Sequence, residues 1–375
     1  MSIRWKSTSG IIGSLFLVAG AIAAAQNDGQ NNGNHGDFRP QAYSNHVLVS
    51  DGNVPADFTD ANLKNGWGVA FNPQGFVWVA DNHTGKSTLY DGTGKPQALV
   101  VTIPGVGGEA GTPTGIVFSG GNDFVVSAPN AAGTVVSGPA RFIFVTEDGT
   151  IAGWAPTVNP TVAITVPTMP TNANYKGVAL SGNGTNHLLY ATDFRNGRID
   201  VFDGAFKPVV KAGAFVDPRI PKGYGPFGIQ AINGDIYVTY AKQDAEGDDE
   251  IAGPGLGFVD VYSPDGELLG RFASRGVLNA PWGLALAPLS FGDFGGALLI
   301  GNFGDGTINA FSPRTGRWLG TLRDQNQRRI RVDGLWGMQF GNGVSAQKTN
   351  ALYYAAGPND EESGAYGVIE PVRRK

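Results

Sequence analysis

Short apolar runs separated by polar turns recur along most of the chain, and one arrangement links them. A glycine opens an apolar run, and a second apolar run follows it. The copies begin at Trp67-Gly68-Val69, Thr114-Gly115-Ile116, Lys176-Gly177-Val178, Phe227-Gly228-Ile229, Trp282-Gly283-Leu284 and Trp336-Gly337-Met338. Their second runs are Phe76 to Asp81, Phe124 to Ser127, Leu188 to Asp193, Ile236 to Tyr240, Leu298 to Asn302 and Leu352 to Ala355. The glycines lie 47, 62, 51, 55 and 54 residues apart, a period that suits a four-stranded propeller blade with loops. No copy contains an amphipathic helical stretch, which argues against a solenoid of helices.

Outer strands follow in the same order. The fourth copy continues with Gly257 to Tyr262, the turn Ser263-Pro264-Asp265-Gly266, and Glu267 to Phe272; the fifth continues with Gly306 to Phe311 and Arg317 to Leu322. Pro-Asp-Gly between two strand-like runs is turn chemistry: proline presets φ at one corner and glycine accepts positive φ at another. After Tyr366 to Val372 the sixth copy has too few residues for a fourth strand, but His46 to Ser50 offers one ahead of the first glycine. The pattern therefore predicts an all-β, six-bladed β-propeller with four-stranded antiparallel blades, in which the N-terminal strand closes the last blade and removes the free edges. The expected layout is a signal peptide at 1–25, a polar leader at 26–42 and one propeller domain at 43–375.

The Pro/Trp-x-Gly-φ-φ openings (φ here an apolar residue) and the Asp or Asn that ends several second runs resemble NHL-type and gluconolactonase-like six-bladed propellers. Within that group the chain is similar to an exported bacterial family with no established activity. The resemblance covers 43–372. It implies the fold, and for function it implies either a binding scaffold or a divalent-metal-dependent hydrolase or lyase of the gluconolactonase/streptogramin-lyase type.

Composition narrows these readings. Glycine, with 57 of 375 residues, is about twice its usual share. There is no cysteine, which excludes disulfides, thiolate metal sites and a cysteine nucleophile. The formal charge of −5 contains no basic block, so a nucleic-acid partner is not expected. Arg4 and Lys6, the apolar stretch Ile11 to Ala24, and Ala23-Ala24-Ala25 before Gln26 read as an export signal, too short to span a bilayer. A periplasmic or secreted, monomeric protein without stable membrane insertion is expected.

Residues before each glycine and after each second run should meet at one face, the default ligand site. Trp67, Tyr175, Phe227, Trp282, Trp336, Arg195 and Lys242 are the candidate ligand-binding side chains, for a small molecule, a glycan or a protein. The repeated tryptophans equally suit packing over the neighbouring blade. Asp81, Asn82, Asp193 and Asn302 could converge on a hard cation, with Ca²⁺ as the candidate cofactor. The same residue types also cap strand ends. Relative to gluconolactonase-like proteins, the early inner-strand glutamate has no counterpart, because that stretch reads Asn65-Gly66-Trp67-Gly68. His83 is the histidine placed for acid–base work. The loop Asp244 to Glu250 concentrates five carboxylates without EF-hand spacing, as expected of a solvated acidic loop.

Overall fold

The computed structural model describes residues 42–166, 172–182, 184 and 187–372. The segments expected to be an export signal and a leader lie outside the described residues except for Ala42, which already belongs to a strand. Six sheets follow one another along the chain. Each has its inner strand at the expected glycine: Gly66–Phe71, Pro113–Phe118, Tyr175–Gly182, Tyr224–Ile232, Pro281–Leu286 and Leu335–Phe340.

The ring closes through its first described strand. Ala42–Ser50 runs antiparallel to Ala365–Val372, with His46 opposite Val368, and becomes the fourth strand of blade 6. Tyr43 fastens it by donating its hydroxyl to the Phe291 carbonyl at 3.1 Å. The pairing begins four residues before the expected His46.

Second strands such as Val77–Asp81 and Leu298–Asn302 are buried at every position. Both faces of a blade's middle are covered by neighbouring blades, so these strands are apolar throughout instead of alternating. The apolar side chains form one cluster per seam. Val79, Tyr90, Tyr353 and Tyr366 join blades 6 and 1, and Trp78, Phe142, Phe144 and Trp154 join blades 1 and 2. Burying each large side chain contributes about 2 kcal/mol.

Two blades depart from the expected layout. In blade 2 the second strand is Phe142–Thr146, whereas Phe124 to Ser127 leads into an inserted hairpin, Val125–Pro129 with Val135–Pro139. Phe142–Thr146 is buried on both faces, while Val125–Pro129 alternates between exposed and buried and suits a position covered on one side. In blade 3 three strands are present, Tyr175–Gly182, His187–Asp193 and Arg198–Asp203, and no fourth strand forms among the described residues.

Candidate functional site

Each inner strand breaks register with its second strand at the glycine and the residue before it, for example between Gly66 and Val69 in blade 1 and between Pro281 and Leu284 in blade 5. A bulge of this kind re-aims one side chain. Here it turns the residue before each glycine toward the axis: Trp67, Thr114, Lys176, Phe227, Trp282 and Trp336. The glycines serve close approach. A Cβ on Gly68, Gly115, Gly177, Gly228, Gly283 or Gly337 would stand under 3.0 Å from backbone of the next blade, with Gly337 meeting Trp67 as the ring closes.

The axial aromatics pack against one another. Trp67 stacks on Trp336 with centroids 3.5 Å apart, Phe303 stacks on the other side at 4.1 Å, and Trp282 meets both tryptophans edge-on. Trp67, Phe194, Phe227 and Trp336 are buried in this axial cluster. Lys176, 1% exposed, sits within the same ring. Its Nζ lies 5.2 Å from the Trp67 ring centroid and donates to Glu147 at 2.6 Å and Asp249 at 3.0 Å. Those carboxylates hold the ammonium charged against the cost of burial, and its pKa is raised.

Above this plug lies a depression of ≈ 650 Å³ lined by Asn65, Asn82, His83, Phe303 and six carboxylates: Glu147, Asp249, Glu250, Asp333, Asp360 and Glu361. Among the described residues no lysine or arginine lines it. Asn65 organises one wall by donating to Glu361 at 2.6 Å and accepting from the Trp336 indole at 3.2 Å. His83 lies 3.4 Å from the Asn65 amide. Asn82 donates to Glu147 at 2.8 Å. Burial pushes Glu250 up to about 8, with Lys176 opposing the shift and Glu361 and Asp249 adding to it. Glu361 is also raised, mainly by burial.

No protein-family model matches the sequence. Over 333 residues the chain is 32% identical to "Uncharacterized protein R648" of Acanthamoeba polyphaga mimivirus, covering 86% of this chain and 78% of that protein. Over 336 residues it is 34% identical to "Uncharacterized protein L690" of the same virus, covering 86% and 84%. The chain belongs to the family of these two proteins. Both relatives are viral, where the resemblance implied a bacterial group. The virginiamycin B lyase of Staphylococcus aureus, at 11% identity, TM-score 0.50 and coverage of 88% of this chain and 100% of its own, shares the propeller fold.

In this family member the four expected metal ligands do not converge. Asp81 is sealed between blades 6 and 1, beside Val79, Thr88 and Tyr90, where burial outweighs the support of Thr88 and raises its pKa strongly. Asp193 accepts from Asn174 and Asn196 and pairs with Arg198 at 3.1 Å. Asn302 donates to the Val277 carbonyl at 2.7 Å. Both serve their own turns, as strand-end caps do. The reason is register: successive strand residues face opposite sides, so the side chain one position further on, as with Asn82 after Asp81, turns to the mouth. Among the described residues no group of three or more His, Asp or Glu is arranged to hold a metal ion.

Of the expected ligand-binding residues, Trp67, Phe227 and Trp336 are buried in the plug, and Trp282, half-buried, donates its indole to the Lys176 carbonyl at 3.0 Å. Tyr175 points into a seam, donating to Asp200 at 2.9 Å. Arg195 pairs with Asp248 in the acidic loop, and Lys242 lies on the strand opposite Tyr224. His83 and Asn82 do line the mouth. That loop is not wholly solvated, because Asp249 and Glu250 face the depression. Glu147, Asp333, Asp360 and Glu361 carried no repeat signal. Glu147 was hidden by the displaced second strand of blade 2, which it directly follows.

Proposed function

We propose that this protein is an exported binding propeller that takes a cationic organic ligand, such as a polyamine or an amine-bearing small molecule, at its mouth. One observation carries the reading: among the described residues, six carboxyl groups and no lysine or arginine line a single depression, while the ammonium of Lys176 is buried beneath it and already paired. A concave, low-dielectric site of one sign focuses field lines and concentrates opposite charge. The spread of carboxylates over several loops suits an extended ammonium ligand better than a compact ion, which needs six to eight oxygens within about 2.5 Å. Trp336, whose indole bonds Asn65 in the wall of the depression, should report occupancy. Export rests on the basic start, apolar stretch and small residues at 1–25, and N-terminal sequencing of the extracytoplasmic protein should begin at Gln26.

Titration of the mature protein with spermidine, followed by calorimetry and tryptophan fluorescence, tests the reading. Saturable binding is expected, weakened by salt, since charges further apart than about 8 Å are screened at physiological ionic strength. Glu361→Gln with Asp249→Asn should weaken it at least tenfold. Absence of binding by spermidine at low salt, or binding indifferent to that pair of substitutions, would overturn it. The metal-assisted hydrolase or lyase is favoured by one feature, His83 beside Asn65 and Glu361 at the mouth. Under that reading the purified protein carries about one divalent ion and chelation lowers its melting temperature. A metal-free protein indifferent to chelator removes it.

A further inference from the structure

Five blades have a fourth strand: Val101–Thr102, Ile164–Thr165, Leu268–Ser274, Trp318–Thr321 and, in blade 6, Ala42–Ser50. Blade 3 starts one and abandons it. After Asp203 the chain turns, Asp203 N donates to the Lys207 carbonyl at 2.9 Å, and Val209 N donates to the Val201 carbonyl at 2.8 Å. Pro208, which has no N–H to give, faces Phe202 in an isolated bridge. Blade 1 opens its fourth strand in the same way, with Pro96 bridging Tyr90, but there the chain returns and Val101 pairs with Ser87. In blade 3 it leaves. Phe215 docks 5.6 Å from Tyr190 and 5.3 Å from Tyr262, and buried Asp217 is held by Arg271 at 2.7 Å and Arg219 at 3.0 Å. So anchored, the segment cannot supply the missing pairs.

The result is an open lane beside Arg198–Asp203. Val201 offers its carbonyl outward to Val209, and in an antiparallel ladder the N–H and C=O of one residue face the same edge, as do those two residues away. Val209 already occupies the position opposite Val201, so the open lane begins at Ile199, whose N–H and C=O both face it and have no hydrogen-bond partner among the described residues. A cavity of ≈ 410 Å³ runs there, lined by residues from both faces of the strand, including Ile199, Asp200 and Val201, and by Val209, Val210 and Ala214. Such two-sided lining marks the strand's edge and not one face. Val210 is 91% exposed. Lys211, exposed at the end of the lane, has no ion-pair partner among the described residues.

We propose that blade 3 is a strand acceptor: an extended segment of a partner protein adds as its fourth strand, with a β-branched side chain on the apolar wall of Val209 and Val210 and a carboxylate at Lys211. The occupant's form follows from the other five blades, which show what fills this lane in the same fold, and its charge follows from Lys211. Main-chain hydrogen bonds to Ile199, continuing the pairing that Val209 begins, would supply affinity, and the wall and the lysine would supply selectivity. This surface lies on the outer edge of the ring, so it is independent of ligand at the mouth.

The test uses the whole mature protein and a synthetic probe, the N-acetylated hexapeptide Thr-Val-Thr-Val-Thr-Asp, beside the same peptide N-methylated at alternate backbone nitrogens. At saturating probe, amide hydrogen exchange at Ile199 should slow at least tenfold while amides at the mouth stay unchanged. The N-methylated peptide should give no protection, and Lys211→Glu should weaken binding several-fold. Ile199→Pro removes an outward N–H that the blade itself does not use, so it should abolish binding; because Ile199 also packs on the seam of blades 3 and 4, Ile199→Val, which keeps the N–H and most of that packing, serves as the control and should still bind. The proposal is overturned if the probe leaves the Ile199 amide unprotected or if the N-methylated peptide protects equally. It is also overturned if the free protein dimerises with that amide already protected, since the occupant would then be a second copy.

Discussion

The axial plug and the mouth above it lie on the same ring of blades, yet they are built by opposite rules. In the plug every blade contributes the same position, the residue before its glycine, and four of the six are aromatic. In the mouth the residues come from loops at unmatched places: Glu147 follows the second strand of blade 2, Asp249 and Glu250 project from blade 4, and Asp333, Asp360 and Glu361 belong to blade 6. What a repeat preserves is contact between neighbours, because each blade must fit the next one. Charge has no such obligation, so the chemistry falls where the repeat lapses. Lys176 is the one side chain that breaks the rule, a charge at a plug position, and it faces the carboxylates above it.

The largest effect is expected where the repeat is tightest. In Gly228→Ala the new methyl would be driven into the backbone carbonyl of Trp282, and nothing soft can yield. Overpacking against backbone should destabilise the protein by about 3 kcal/mol, measured by urea denaturation. Gly270→Ala, on an outer strand where an added Cβ meets nothing within 4 Å, should fall within about 0.5 kcal/mol of the parent. Equal effects at the two sites would mean that the inner glycines are not held by close approach.

A smaller effect is expected at the lysine that joins the two regions. Lys176→Met keeps the apolar stem over Trp67 but strips Glu147 and Asp249 of their partner. Removing one member of a buried ion pair costs 3–5 kcal/mol when both are enclosed. Asp249 is largely exposed here, so a loss of about 2 kcal/mol at pH 7 is expected, measured by urea denaturation. Lys176→Arg keeps the charge and should lose less; an equal loss in the two variants would show that the lysine acts through packing alone.

The same contrast explains what could be read in the sequence. The six glycines, the ring and its closure by the N-terminal strand were legible because close approach imposes one residue type at one period. Blade 2 was misread at Phe124 because the inserted hairpin carries a short apolar run of its own. The 62-residue gap between Gly115 and Gly177, the longest of the five, was the available sign of an insertion, and Phe142 to Thr146 was the run apolar enough for a strand covered on both faces. Asp81 stood one residue from the mouth, and strand alternation turned that single step into burial in a seam. The carboxylates of blade 6 sit on Asp333, Asp360 and Glu361, in loops without periodicity, and only the folded chain brings them beside Glu147.

Glu250 gives the finest test of the division between plug and mouth. Its carboxyl is pushed up to about 8 from an ordinary value of 4.5, because burial beside Glu361 and Asp249 outweighs the attraction of Lys176. Between those two values the folded protein holds a proton that the unfolded chain has released. The Glu250 contribution to stability therefore falls as pH rises from about 4.5 to about 8, since the native state binds one more proton at this group there. Glu250→Gln, which keeps the neutral shape, should flatten that part of the stability curve and leave its acid limb in place. The proton also links stability to binding. A cation entering the mouth favours the ionised carboxylate, so spermidine bound at pH 7 should release a fraction of a proton, seen as a dependence of calorimetric heat on the buffer's ionisation enthalpy. In Glu250→Gln that dependence should shrink while binding persists through the other carboxylates. If it were unchanged, the proton would come from elsewhere, and Glu250 would belong with the packing of the ring and not with the chemistry of its mouth.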